Sequence, residues 1–444
     1  MATRQWTGAA TAIKQVSHWT FGGTWVTADV ITVTCGNADM TITVGSLVTP
    51  TQVAETVKQA LLSEAFTDTT ATVQPSDGGS VWPYLVDCVV TRPTFLTLTG
   101  VEAGVPFTIT ITENSTLGTI TPNSPADTAC TGPNFADNAD NYKDTAGASG
   151  LPAGADTLVI SGNTPDILYG LSALAAVTGA LQIEASYTGK IGLLAYNKVG
   201  QYQEYRPLWF QTASTQIQVG TGQGNGSSRI NLDAGAANPV LSVERLGTPE
   251  AGEVAALRFK TTGSTAVVNQ YSGRIWLGDI LPSTTVQILT VNLMDKPELP
   301  EPYCFINRIL ALGNLNINRG STETLQGWDA GCVVKGKGKA SFKAHASFST
   351  QATSVTLYDD GVVAITGPAL LAGTYRLANR STLDLSGDNT VRTISNPVEV
   401  SSDESAILDP HKSIPAIIVD FNFCQPSSRN DWGRDLRLTR GATA

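Results

Sequence analysis

The sequence predicts a mainly β fold: a small N-terminal α+β module followed by a right-handed parallel β-helix, with β-sandwich or jelly-roll domains as the alternative. Three observations carry this expectation. Short runs of alternating apolar and polar residues recur along most of the 444 residues, the period of a half-buried strand. Between the runs stand Gly, Asn, Asp and Ser, the residues of tight turns. Only one segment has the spacing of an amphipathic helix.

The module is expected within residues 1–115. Val30–Cys35 alternates, Gly36-Asn37-Ala38-Asp39 is turn chemistry, and Met40–Val44 alternates again, which reads as a β-hairpin. The helix follows. Thr49 suits an N-cap, Pro50 the first helical position and Gln52 a capping box, while Val53, Val57, Ala60 and Leu61 form one apolar stripe. That stripe needs a sheet to cover, and the segments Tyr84–Arg92, Thr94–Thr99 and Phe107–Thr112 are its expected strands, giving the order β-β-α-β-β-β. Residues 116–155 lose the strand pattern and read as an irregular connector.

From 156 to 410 the alternations return, with examples at Ile191 and Leu193, Ile217 and Val219, Ile230 and Leu232, Ile275 and Leu277, Val355 and Leu357, and Leu383 and Leu385. Late in this stretch they come every 8–12 residues or so, so three make a coil of about 20–30 residues, the size of a solenoid rung. Residues 411–444 change character: one strand is expected at Ile414–Phe423, and Arg429–Arg437 is charged around an isolated Trp432, a cap or docking tail.

Composition narrows the function. Charged residues are 15% against about 25% in an ordinary soluble domain, so Thr, Ser, Asn and Gln must supply the surface polarity. The net charge of −10 argues against nucleic acid as partner. No apolar run approaches the length of a membrane-spanning helix. The first thirty residues carry no secretory signal pattern. A surface-type composition without an export signal is the expectation for a virion component assembled in the host cytoplasm.

Motifs that could carry chemistry are weak. Gly331–Lys337 has phosphate-loop spacing, but Gly338 stands where a hydroxyl must meet the magnesium ion. Lys335, Lys337 and Lys339 would share one face of a strand as a basic stripe. Gly220–Gly226 misses dinucleotide-binding register and reads as a flexible turn. Asp137, Asp140 and Asp144 lie among Asn134, Asn138 and Asn141, outside the spacing of a calcium loop. Asp359 and Asp360, followed by Gly361, are the one paired acid expected on a rung edge, with Asp384, Asp388 and Glu399 further on. Neighbouring acids in one strand point to opposite faces, which does not suit a glycosidase pair. Cys35, Cys88, Cys130, Cys304, Cys332 and Cys424 show no paired spacing, and His18, His345 and His411 give none a zinc-site partner, so buried free thiols are expected. The sequence therefore assigns no catalytic, cofactor-binding or metal-ligating residue, and no enzymatic activity.

Several segments resemble known architecture. Thr24–Thr34, Val53–Leu61, Leu96–Thr99 and Gly104–Thr112 resemble modules of tailed-phage and prophage virion structural proteins. Asn138–Tyr142 with Gly150–Ile160 is similar to the segment that opens many β-solenoids, with Tyr142 at the usual Trp position. Tyr187–Leu193 and Thr382–Ser386 resemble β-solenoid proteins of planctomycete genomes and phages. The resemblance implies a virion structural protein, a capsid decoration, head fibre or tail fibre. Its partners would be copies of itself, most simply as a trimer, and capsid or tail proteins, with a host surface glycan as a further partner. The rival readings are a secreted glycan-binding surface protein or adhesin and a polysaccharide depolymerase.

Overall fold

The structure is a computed structural model. It describes residues 2–35, 38–75, 85–91, 94–193, 197–199, 202–204, 209–278, 286–306, 309–324, 333–336, 338–343, 350–351, 354–357, 361–367, 370–371, 373–377 and 381–384, and five short strands beyond. The fold is mainly β, with one α-helix among the described residues.

Parallel strands dominate. A thirteen-stranded sheet and an eleven-stranded sheet are visited alternately by the chain, and a third, four-stranded parallel sheet joins them from Thr350–Gln351 onward. Returning to the same sheet takes about 18–30 residues on nearly every pass, the repeat expected for stacked β units. The register stacks like on like. Leu158, Leu181, Ile217, Leu241, Val268, Val291 and Leu315 face one another in one column and are all buried. Leu257, Ile275 and Cys304 do the same in the other sheet. The alternation seen in sequence thus places one residue in two against the core.

Polar residues stack on the outside as well. Asn292 Nδ2 donates to Asn269 Oδ1 at 2.8 Å, and Asn316 Nδ2 to Asn292 Oδ1 at 2.7 Å, on three successive parallel strands. Asn292→Ala removes two amide bonds and is expected to cost about 1–2 kcal/mol. The check is a lower denaturant midpoint at unchanged slope.

The first strand of the larger sheet comes from the N-terminus. Thr3–Trp6 runs parallel to Thr157–Ile160 and antiparallel to Tyr142–Asp144, which forms the sheet edge. Residues 2–6 therefore belong with the parallel sheets, a departure from the expected division at 115. Trp6 is fully buried, meets Tyr142 edge-to-face at 5.1 Å and donates Nε1–H to the Pro165 carbonyl at 3.0 Å. Tyr142 and Trp6 thus close this end of the larger core as an aromatic pair.

The α+β module is an insertion between those two strands. It holds its own core, from Trp19 to Ile120, sharing no residue with the larger one. The hairpin pairs Val30–Cys35 with Ala38–Thr43. The helix is Pro50–Leu62, with the Thr49–Gln52 capping box present and Ser63 closing it at φ +55. It stops three residues short of the expected Ala65 because Ser63 turns left-handed. The expected strand order omitted three strands: Val16–Gly23, Thr72–Pro75 and Gly118–Pro122. The last lies in the expected connector yet pairs with Val16–Gly23, since Pro122 ends it rather than interrupting it.

The turn before the helix is tied by Asp68. Its carboxylate accepts from the Thr70 hydroxyl at 2.6 Å and the Leu47 amide at 2.8 Å. These bonds, the Thr70 hydroxyl first, hold it well below the usual carboxylate range. A depressed folded pKa stabilises above the unfolded value of about 3.9 and is lost as pH falls through the folded one. Module melting is expected to weaken below about pH 4, and Asp68→Asn to flatten that dependence; thermal melts across acidic pH check it.

Candidate functional site

The outer face of the eleven-stranded sheet carries a row of charged and aromatic side chains. Arg258, Trp276, Phe305 and Glu323 stand in register on consecutive strands. Their inward neighbours are the buried column, so strand alternation sends these side chains outward. Arg258 pairs with Glu253 and lies over the Trp276 ring, 5.2 Å from its centroid. Arg274 covers Tyr303 at 5.7 Å, and Tyr303 and Phe305 sit 4.5 Å apart. Tyr303 donates its hydroxyl to Glu323 at 2.9 Å. Burial, then that bond, push the phenol up to about 12. Lys190 and Arg229 converge on Glu250. Burial opposes the Glu250 charge, but the two cations hold the carboxyl below its usual range.

Beside this face lies a groove of about 650 Å³, where the chain turns from one sheet to the other. It exists because the corner residues are small. Ala213, Ala234, Gly235, Ala236 and Ala237 line it, with Gln211, Thr178, Thr215, Asp233 and Asn238 supplying polar groups. Asp233 Oδ1 accepts the Gly235 amide at 2.8 Å, and its other oxygen meets Lys260 at 3.5 Å. The Lys260 ammonium in turn sits 4.5 Å over the Trp209 ring. Thr261 braces the wall by donating to the Gly235 and Ala237 carbonyls. The arrangement offers paired donors and acceptors over a methyl-lined floor, the chemistry of recognition.

The residues singled out from sequence have other fates. Lys335 lies in Val333–Gly336 of the thirteen-stranded sheet and Lys339 in Lys339–Lys343 of the eleven-stranded one, so the basic stripe on one strand does not form. The turn between them, with Gly338 buried against Ile317, divides what the alternation joined. The same strand-to-strand passage replaces the helix a phosphate loop needs. Gly220–Gly226 is a packed corner: at φ +76, a Cβ on Gly220 would strike the Arg245 carbonyl, and one on Gly224 the Ala185 carbonyl. It is a turn, as read, but close approach fixes it.

The Asp and Asn cluster is a structural knot. Asn141 donates to the Gly132 and Phe135 carbonyls and accepts the Ala10 amide, Asn138 caps the turn at Ala139–Asn141, and Asp144 pairs with Arg4 at 3.6 Å. Backbone amides, Ala148 first, lower the Asp144 pKa. Among the described residues no cluster of potential ligands could hold a metal ion. Asp384 and Glu399 lie in different sheets. Asp359, Asp360, Asp388, Lys337, His345, His411, Cys332, Cys424 and the segment 429–435 lie outside the described residues. Cys88 and Cys304 are buried and Cys130 is half-buried, none of the three in a disulfide. Burial pushes the Cys304 thiol far up.

Sequence reasoning passed over Trp209, Asp233 and Lys260. The available signal was the run Asp233-Ala234-Gly235-Ala236-Ala237-Asn238, whose small side chains leave space wherever a coil turns. Comparison with protein families, curated proteins and solved structures finds no match for this chain. No helix among the described residues is long and apolar enough to cross a membrane.

Proposed function

We propose that the chain is a tailed-phage virion structural protein, of capsid-decoration, head-fibre or tail-fibre type, and that its parallel sheets are the faces of a right-handed parallel β-helix. One observation carries the reading: the thirteen-stranded sheet, all but one of whose strands run parallel, with buried aliphatic residues stacked on the inside and amides on the outside. Each rung buries its neighbours, so such a ladder works as a stiff spacer. At about 4.8 Å per strand it spans roughly 60 Å. The role is mechanical and non-catalytic. The inserted module is the attachment or decoration unit, 156–410 the solenoid and 411–444 the docking tail, in a homotrimer bound to capsid or tail proteins within the virion.

The module's sheets support the assembly part, because among the described residues Thr72–Pro75 and Leu85–Thr91 pair on one side only, and exposed edges call for partners. Sedimentation is expected to give three times 46.6 kDa, and negative-stain images a rod at least as long as the ladder. A stable compact monomer that binds no virion protein overturns the reading. The rival, a glycan-binding surface protein, is favoured only by the corner groove.

A further inference from the structure

We infer that the corner groove is a binding site for neutral hexose units of a glycan. The inference goes beyond the mechanical role and stands without it. The volume, about 650 Å³, is that of a small-molecule site. What selects the ligand class is the lining. The one carboxylate there, Asp233, is already met by Lys260 at 3.5 Å, so the groove presents no free charge for an ionic ligand. A purely apolar ligand fares no better, because it would cover the Gln211 amide and the Thr215 hydroxyl and offer them no partner.

A hexose meets both demands. Its hydroxyls donate to Asp233 and both donate to and accept from the amide of Gln211 and the Thr215 hydroxyl. Its C–H faces lie on the methyl floor made by Ala213, Ala236 and Ala237. The groove is also held in shape before any ligand arrives: Thr212 and Ser214 hydroxyls bond at 2.8 Å, and Thr261 clamps the opposite wall. Preorganisation of this kind reduces the ordering cost of binding.

The test uses the full chain and saturation-transfer NMR with maltotriose, cellotriose, mannotriose and digalacturonate as probes. Transfer to at least one neutral trisaccharide and none to digalacturonate is expected. Ala236 is exposed on its turn, so Ala236→Trp fills the groove without disturbing the core, and its melting curve should match the parent. It is expected to weaken binding at least tenfold, and Gln211→Ala to weaken it about fivefold, the worth of one hydrogen bond. Transfer to none of the neutral sugars, transfer to digalacturonate alone, or binding unchanged in a folded Ala236→Trp protein would overturn the inference. Trimer formation reports separately on the structural role.

Discussion

Trp6→Ala is expected to lower the stability of the parallel sheets by about 3–5 kcal/mol, the range for emptying a large buried aromatic site. Trp6 is fully buried, seals the end of the larger core against Tyr142 and shares the Pro165 carbonyl with the Tyr187 hydroxyl, so truncation leaves a cavity and removes one of that carbonyl's two hydrogen bonds. The effect should be confined to one of two transitions. Trp25 is equally buried but belongs to the module core, beside Phe21 at 6.2 Å. Trp25→Ala should therefore shift the other transition. Two separate shifts in calorimetry match two cores that share no residue. A single transition moved by both substitutions would show that the cores unfold as one unit.

Excising the module is expected to leave the parallel sheets folded. Ile13 and Thr131 form an antiparallel bridge, with the Ile13 amide bonded to the Thr131 carbonyl at 2.8 Å. A two-residue Asn-Gly turn can join such a pair directly. A chain with residues 14–130 replaced by Asn-Gly keeps Thr3–Trp6 tied to Thr157–Ile160 and retains every residue of the larger core. Its far-ultraviolet spectrum should show β structure with the helix contribution gone, and it should melt cooperatively. If the module is the attachment unit, this protein should also lose binding to virion partners. Failure to fold would mean that the module supports the sheets through more than its two connections.

The helix and its hairpin were legible because their signals are local. A Thr-Pro-x-Gln start followed by an apolar stripe sets the N-cap and the buried face within thirteen residues. Strand after strand could likewise be read from alternation, including the inward identity of Ile217, Val219, Leu357 and Leu383, all buried. What alternation lacks is the name of the partner. It gave Lys335 and Lys339 one strand where the chain turns between two sheets.

The sequence by itself determined the β character, the helix with its cap, the glycine corner at 220–226 and the alternation of inward and outward residues, all set within a few residues by sterics and hydrophobic period. Only the tertiary structure decided that Thr3–Trp6 joins a strand 150 or so residues away, that the module is an insertion rather than a leading domain, and that small residues at one corner open a groove beside Trp209 and Lys260. The reason is physical. Closing a long loop costs little more than closing a short one, so distant pairing needs no local mark. A groove, moreover, is made by the absence of side chains on several turns at once.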